Sequence, residues 1–310
     1  MINFKKGIKT VSLKEGIIQV GDFIDETKMV STFYEKTPFP NYEDLQNKAD
    51  LQKTLFSNPI LSNLRDFIGY KKKIIEVGAG TCQLSLALAS SSNNEYVAFD
   101  PTYASLKLGK SFAKKNKINN VQFVRGDLFS DPFETETFDF IWCSGVLHHT
   151  KSSEKGFDII SKWLKPKGYI IVGLYNSYGR LRTKTRKKLY QSLRSGNFAR
   201  NIVSKLDPQM RKMSAKPKLD AWFADQYEHP IERCHSIDEV LKWFKNKNIK
   251  FKGSVPSCYF GQSFNGIENM NGVKHNFLSR LMTQVGMNFN TLGNEGGLFL
   301  MVGQKNDNSN

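Results

Sequence analysis

Nothing in this 310-residue chain approaches the run of about eighteen uninterrupted apolar residues that a spanning helix needs. The N-terminal MINFKKGIKTVSLKEG has early lysines but neither a continuous apolar stretch nor a small-residue cleavage site. These absences predict a soluble, unexported, cytoplasmic protein. Cysteine is scarce too: Cys82, Cys143, Cys234 and Cys258 lie far apart, with no C-x-x-C pair. That spacing argues against a disulfide framework and a structural zinc site and for a reducing compartment, so no metal is expected. Internal repeats are missing, and only the tail, residues 306–310, has the composition of a disordered segment.

What the chain does have is positive charge, +16 overall with a pI near 9.5. Between Arg180 and Lys218 there are thirteen Lys or Arg and one acid, Asp207, so that segment alone carries a surplus of +12. A basic surface attracts phosphates without reading sequence, but a lysine-rich run is also the ordinary composition of a solvated helical face.

Along the chain, residues 1–28 alternate weakly around IKTVSL and GIIQV, which suggests a hairpin or an edge extension. A cap follows, with an aromatic, proline-punctuated segment (Tyr34, Pro38, Phe39, Pro40, Asn41, Tyr42) and a helical pattern through Leu51, Leu55, Leu61, Leu64 and Phe67. From Lys73, strand patterns alternate with helical ones: KIIEVGAG and QLSLALASS, EYVAFD and ASLKLGKSFAKKN, VQFVRGD, FDFIWCSG and GFDIISKWLK, GYIIVGLYN. Such alternation predicts a doubly wound α/β core whose mostly parallel sheet is covered on both faces. The basic segment interrupts it, with Leu189, Leu193 and Phe198 at helical spacing. The pattern then resumes: a capping box of Ser236 and Glu239 before VLKWF, the strand IKFKGSV, a short helix NFLSRLM, and the strand GGLFLMVGQK. The expected division is an extension and cap (1–70), a ligand-binding core (71–175), a basic helical insertion after the fifth strand (176–235), and a closing helix with two strands (236–305) in a seven-stranded sheet.

In KIIEVGAGTCQLS a buried strand runs through Gly78-Ala79-Gly80 into a helix, whose unpaired N–H groups suit a polar ligand. A G-x-G-x-x-G run, which a dinucleotide site would want, is absent, because Gln83 stands three residues after Gly80. Glu76 ends the strand instead, and an acid there suits a ligand carrying a cationic amino acid better than a pyrophosphate. Asp100 ends the second strand, where a carboxylate can accept from both hydroxyls of a ribose, and Asp127 follows the third, placed to accept from an adenine amino group beside Leu128 and Phe129. Taken singly, each Asp is as well explained as a helix cap or turn residue. Three acids at successive strand ends lie on the carboxyl edge of one sheet, where open α/β folds bind ligands.

EVGAGT (76–81), AFD (98–100), RGDLF (125–129) and FDFIWCSGVLHHT (138–150) resemble the successive motifs of the class I S-adenosylmethionine (SAM) dependent methyltransferases, over residues 70–175. GVLHHT resembles the small-molecule branch of that family. The resemblance implies a Rossmann-like fold, SAM as cofactor, Glu76, Gly78, Ala79 and Gly80 around its methionine part, Asp100 and Pro101 at the ribose, Asp127 and Leu128 at the adenine, and Cys143 nearby. Cys82 departs from the pattern, standing where many members carry a third glycine.

A sulfonium methyl is already electrophilic, so such a protein mainly aligns a nucleophile, excludes water and removes a proton. His148 and His149 are candidates for the base, although packing or capping explains them equally well. Tyr34 and its aromatic neighbours form either a lid over the sulfonium or a plug on the sheet edge. Arg180, Arg182, Lys184 and Arg186 could hold a carboxylate or phosphate. The polar run DQYEHPIERCHS, with Asp225, Tyr227, His229, Glu232 and His235, is a substrate site or a solvated loop. Cys82 and Cys143 lie within the cofactor framework rather than after a Pro-Cys turn, and no N/D-P-P-Y stretch marks amino methylation of a flipped base. Three functions remain in view: methylation of a small metabolite, anionic ones included; methylation of RNA or tRNA along the basic segment, where aromatic residues for stacking are few; and a non-catalytic SAM-binding or assembly module.

Overall fold

The structure, a computed structural model, describes residues 2–40, 42, 45–194, 196–213, 216–259, 261–272, 274–289 and 296–307, without the side chains of 217 and 218. Asn41 of the aromatic segment and the end of the tail, residues 308–310, lie outside the described residues.

The strands are β1 (Thr10–Ser12), β2 (Ile18–Val20), β3 (Lys73–Val77), β4 (Glu95–Asp100), β5 (Val121–Gly126), β6 (Phe138–Ser144), β7 (Leu164–Tyr175), β8 (Ile249–Val255) and β9 (Leu298–Lys305). They form one sheet in the order β1-β2-β5-β4-β3-β6-β7-β9-β8, in which β3 to β7 are mutually parallel and β9 runs antiparallel between β7 and β8. The fold is the expected doubly wound α/β sheet. Its strand count among the described residues is nine rather than seven, because the hairpin of β1 and β2 extends the edge, with β2 lying parallel to β5. Three-residue strands carry too little alternation to be counted from sequence; β2 is anchored by the buried Val20, and β1, exposed at all three residues, by its pairing with β2.

The helices are α1 (Asp25–Lys36), α2 (Lys48–Phe56), α3 (Pro59–Ile68), α4 (Gln83–Ala89), α5 (Tyr103–Lys115), α6 (Ser153–Trp163), α7 (Leu181–Ser192), α8 (Asn197–Leu206), α9 (Lys216–Phe223), α10 (Ile237–Asn246) and α11 (Phe277–Gly286). The helical pattern through Leu51 and Phe67 divides into two helices, α2 and α3. Asn58 caps a new start and Pro59 occupies its first turn, where proline's missing N–H costs nothing. At α10, Ser236 accepts from the Glu239 N–H, but the Glu239 carboxylate turns to His235 Nδ1 at 2.9 Å, so only half of the expected capping box forms.

Helices α7 to α9 pack around a small core of their own that includes Tyr190, Ala199, Val203, Trp222, Phe223 and Tyr227. The expected apolar positions are not its basis, since Phe198 is 71% exposed and Leu193 is also on the surface. Helical spacing identifies a face, and only tertiary packing decides which face is covered. A π-helical turn, Ala224–Glu228, ends this insertion. No helix among the described residues is long and apolar enough to cross a membrane.

Candidate active site

Strand order reverses between β3 and β6, and beyond their carboxyl ends lies a cavity of about 270 Å³. Gly78 and Gly80 both have positive φ, +70° and +51°. A Cβ on Gly78 would lie 2.1 Å from Val146 Cγ2, and one on Gly80 would lie 2.6 Å from the Phe39 carbonyl oxygen. Glycine is therefore required twice over, by backbone conformation and by close approach.

The N–H groups of Gly78, Ala79 and Gly80 are taken up within the protein. Gly78 and Ala79 donate to the Phe99 carbonyl at 2.8 and 3.1 Å, and Gly80 donates to Asp100 Oδ2 at 2.8 Å. Asp100 Oδ1 accepts from the Thr102 N–H at 2.8 Å, so this buried carboxylate ties the loop to the end of β4. Burial raises its pKa, against the pull of those N–H groups. Glu76 Oε2 accepts from the N–H and hydroxyl of Ser85 at 2.9 and 2.5 Å. It thereby serves the first turn of α4, where Cys82 supplies no side-chain cap. Burial pushes the Glu76 pKa up to about 7. Asp127 accepts from the Phe129 and Ile24 N–H groups at 2.8 and 2.9 Å, so the cap reading of this residue is realised. All three acids nevertheless line the cavity, held in place by neutral donors.

Cys82 takes the left-handed conformation, φ +66°, that glycine adopts most readily. Gly109 on α5 makes room for it, since a Cβ there would lie 2.8 Å from Cys82 Sγ. Its thiol is buried and its pKa raised by that burial, as is that of Cys143, so neither is a reactive thiolate.

The cavity is also lined by Pro101, Leu128 and Phe129, by Phe39 and Pro40, and by a second polar group of Tyr34, His149, Tyr175 and Asp225. The aromatic segment is pinned to the glycine loop: the Thr81 hydroxyl donates to the Pro40 carbonyl at 2.5 Å, and the Tyr42 hydroxyl donates to the Thr81 carbonyl at 2.7 Å. Phe39 and Pro40 form part of the cavity wall, and Tyr42 packs against Phe112 of α5.

In the second group the Tyr34 hydroxyl donates to Asp225 Oδ1 at 2.7 Å, and the Gln226 amide bridges Asp225 Oδ2 and the Tyr175 hydroxyl at 2.8 and 3.1 Å. His149 Nδ1 lies 2.6 Å from the Ile231 carbonyl, an acceptor only. The proton must therefore sit on Nδ1, leaving a lone pair on Nε2 when the ring is neutral. Burial lowers the His149 pKa, opposed by Asp225 and by that carbonyl, so the neutral form prevails. His229 packs on His149 with ring centroids 3.7 Å apart and is pushed down to about 2, first by burial and then by His149.

Several expected site residues are placed elsewhere. His148 is fully buried, stacked on Tyr175 at 4.0 Å, with no hydrogen-bond partner for either ring nitrogen among the described residues. Cys143 is buried in the core beneath the cavity-lining Ser144. Arg180 is fully buried, forks onto Glu232 at 3.1 and 3.0 Å, donates to Gln226 at 2.6 Å and lies 3.7 Å over the Tyr175 ring. Burial alone would lower its pKa, but Tyr175, Glu232 and Asp225 hold it protonated. Arg182 is exposed over Phe289, and Tyr227 is in the insertion's core, donating to Asp207 at 2.6 Å. His229 touches Tyr34 and His149 without lining the cavity. The sequence does not single out Tyr175 or Val146, and it shows Asp225 only as one member of a polar run. Tyr175 ends a strand without any motif, and Asp225 reaches the cavity through a π-helical turn that has no sequence signature.

A glycine loop at a sheet switch point with acids at three successive strand ends defines a Rossmann-like nucleotide-binding protein. Residues 68–248 match the family described as "Methyltransferase domain". The chain belongs to this family, the class I SAM-dependent methyltransferases, whose cofactor is SAM. Among curated proteins it is 24% identical over 201 residues to the uncharacterized protein syc1184_c of Synechococcus, covering 59% of this chain and 48% of that one. It is 30% identical over 104 residues to the uncharacterized methyltransferase YcgJ of Bacillus subtilis, covering 33% and 41%. The chain thus spans about half or less of the length of these relatives. Among solved structures, PKMT2 from Rickettsia typhi in complex with AdoHcy shares the fold at a TM-score of 0.57 and 15% identity, over 85% of this chain and 53% of that one.

Proposed function

We propose that this chain transfers the methyl group of SAM to a small-molecule nucleophile in the cytoplasm. One observation carries the proposal: a single cavity joins the glycine loop and its strand-end acids to a second polar group that includes a histidine whose Nδ1 is tied to the Ile231 carbonyl and a buried carboxylate. The cofactor supplies an electrophilic methyl group, and the remaining work falls to the chain. In this reading Asp100 holds the ribose hydroxyls, Glu76 Oε1 faces the methionine ammonium, and Asp127 with Leu128 borders the adenine. The aromatic wall of Tyr34, Phe39 and Pro40 excludes water, and Nε2 of His149 takes the proton released by the acceptor. Residues 1–70 then act as a cap and 176–235 as the substrate-side insertion.

The arginines offered for anion recognition give this reading no support, since Arg180 is matched by Glu232 and Arg182 faces solvent. The same placement weakens the RNA reading, because Lys151 is the cavity's one lining cation among the described residues and it pairs with Glu26. Incubation with methyl-labelled SAM and fractionated cell extract tests the proposal: label is expected in the small-molecule fraction, and label confined to RNA would overturn it. In calorimetry, Asp100→Asn is expected to weaken S-adenosylhomocysteine binding by roughly tenfold. An unchanged affinity would remove Asp100 from the ribose.

A further inference from the structure

Among the described residues the cavity is lined by five carboxylates, Glu26, Glu76, Asp100, Asp127 and Asp225, against one cation, Lys151. Lys151 is answered by Glu26 at 3.1 Å. If the chain is a SAM-dependent methyltransferase, a premise the present inference shares, the cofactor absorbs Glu76, Asp100 and Asp127. Asp225 is left over. It is 6% exposed, and its two oxygens accept from a phenol and an amide, both neutral. The nearest cation in its network, Arg180, donates to the oxygen of the same Gln226 amide but spends its fork on Glu232. Arg180 and Glu232 neutralise each other, Lys187 also acts on Glu232, and among the described residues no cation is hydrogen-bonded to Asp225. A buried carboxylate satisfied by neutral donors alone remains costly, and a cationic ligand lowers that cost whereas an anion raises it. Both faces of the Tyr175 ring are occupied, by Arg180 and by His148, so the ring itself offers a cation no free surface.

We propose that the methyl acceptor is an amine, that Asp225, held by Tyr34 and Gln226, anchors its nitrogen, and that His149 is the base that deprotonates it. The amine arrives as an ammonium. One N–H proton passes to Nε2 of His149, and the freed nitrogen pair forms the N–CH3 bond as the S–CH3 bond breaks with its electrons remaining on sulfur. N-methylammonium, S-adenosylhomocysteine and an imidazolium result, and the imidazolium returns its proton to water. Arg180 is a positioning residue here: through Gln226 it fixes the amide that orients Asp225, and it touches no substrate.

Sinefungin serves as a probe that needs no knowledge of the substrate. In this SAM analogue a carbon bearing an amino group replaces the sulfonium, so an ammonium stands where the transferable methyl would be. Calorimetry on the full chain is expected to give sinefungin roughly tenfold tighter binding than S-adenosylhomocysteine. Asp225→Asn should erase that preference while leaving S-adenosylhomocysteine within about twofold. Tyr34→Phe, which removes a donor from the half-buried α1 side chain, should erase part of it. A wild-type protein that binds S-adenosylhomocysteine with no preference for sinefungin would overturn the proposal, as would equal loss of both ligands in Asp225→Asn. In the labelling experiment, methylated product should be retained on a cation exchanger; retention on an anion exchanger counts against an amine. Failure of the wild type to bind S-adenosylhomocysteine at all would instead sink the methyltransferase reading beneath it.

Discussion

At the scale of single residues, the strand-end acids do two jobs at once. Glu76, Asp100 and Asp127 each accept backbone N–H groups, which holds them still, and each borders the cavity. Glu76 has a consequence in solution. With its pKa raised by burial to about 7, it is largely neutral at pH 6 and largely ionised at pH 7.5. A cationic ligand group stabilises the ionised form, so affinity should rise with pH across that interval and binding should release protons there. S-adenosylhomocysteine is expected to bind several-fold more tightly at pH 7.5 than at pH 6, at most about tenfold, and Glu76→Gln should flatten the profile. Calorimetry in buffers of different ionisation enthalpy reads both. The positions of these acids were legible because strand ends fall where apolar runs stop. Their hydrogen-bond partners were not, since Ile24 and Asp127 are brought together only by the added hairpin edge.

At the scale of elements, the insertion shows what periodicity leaves undecided. Helices were expected between β7 and β8, but the arginine that opens them points inward. Arg180 joins β7, through Tyr175, to the π-helical turn and to Glu232, and so fastens the insertion to the sheet. Arg180→Met should destabilise the protein by about 3–5 kcal/mol, because it strands Glu232 in a buried site. Adding Glu232→Gln should recover part of that loss, and urea titration of both variants checks it. Equal stabilities for wild type and Arg180→Met would mean that the ion pair contributes nothing to the docking.

At the scale of the whole molecule, the charge of +16 and the chemistry of the cavity have opposite signs. Arg182, Lys188 and Arg194 are exposed on or beside α7 and none of them lines the cavity. Reversing all three to glutamate should lower the salt needed to elute the protein from heparin while leaving S-adenosylhomocysteine affinity within about twofold. A large loss of that affinity would tie the basic face to the site. The sequence by itself determined the alternation of strands and helices, the glycine loop, the acid at each strand end, and where the excess charge lies. These are matters of local pattern, written in the period of the apolar positions and in residues that only one backbone conformation tolerates. Only the tertiary structure decided that Arg180 is buried, that Tyr227 belongs to a core, and that His149, Tyr34, Tyr175 and Asp225 share a wall of the cavity. Each of those wall residues comes from a different segment of the chain, and their proximity depends on which helix face the sheet covers.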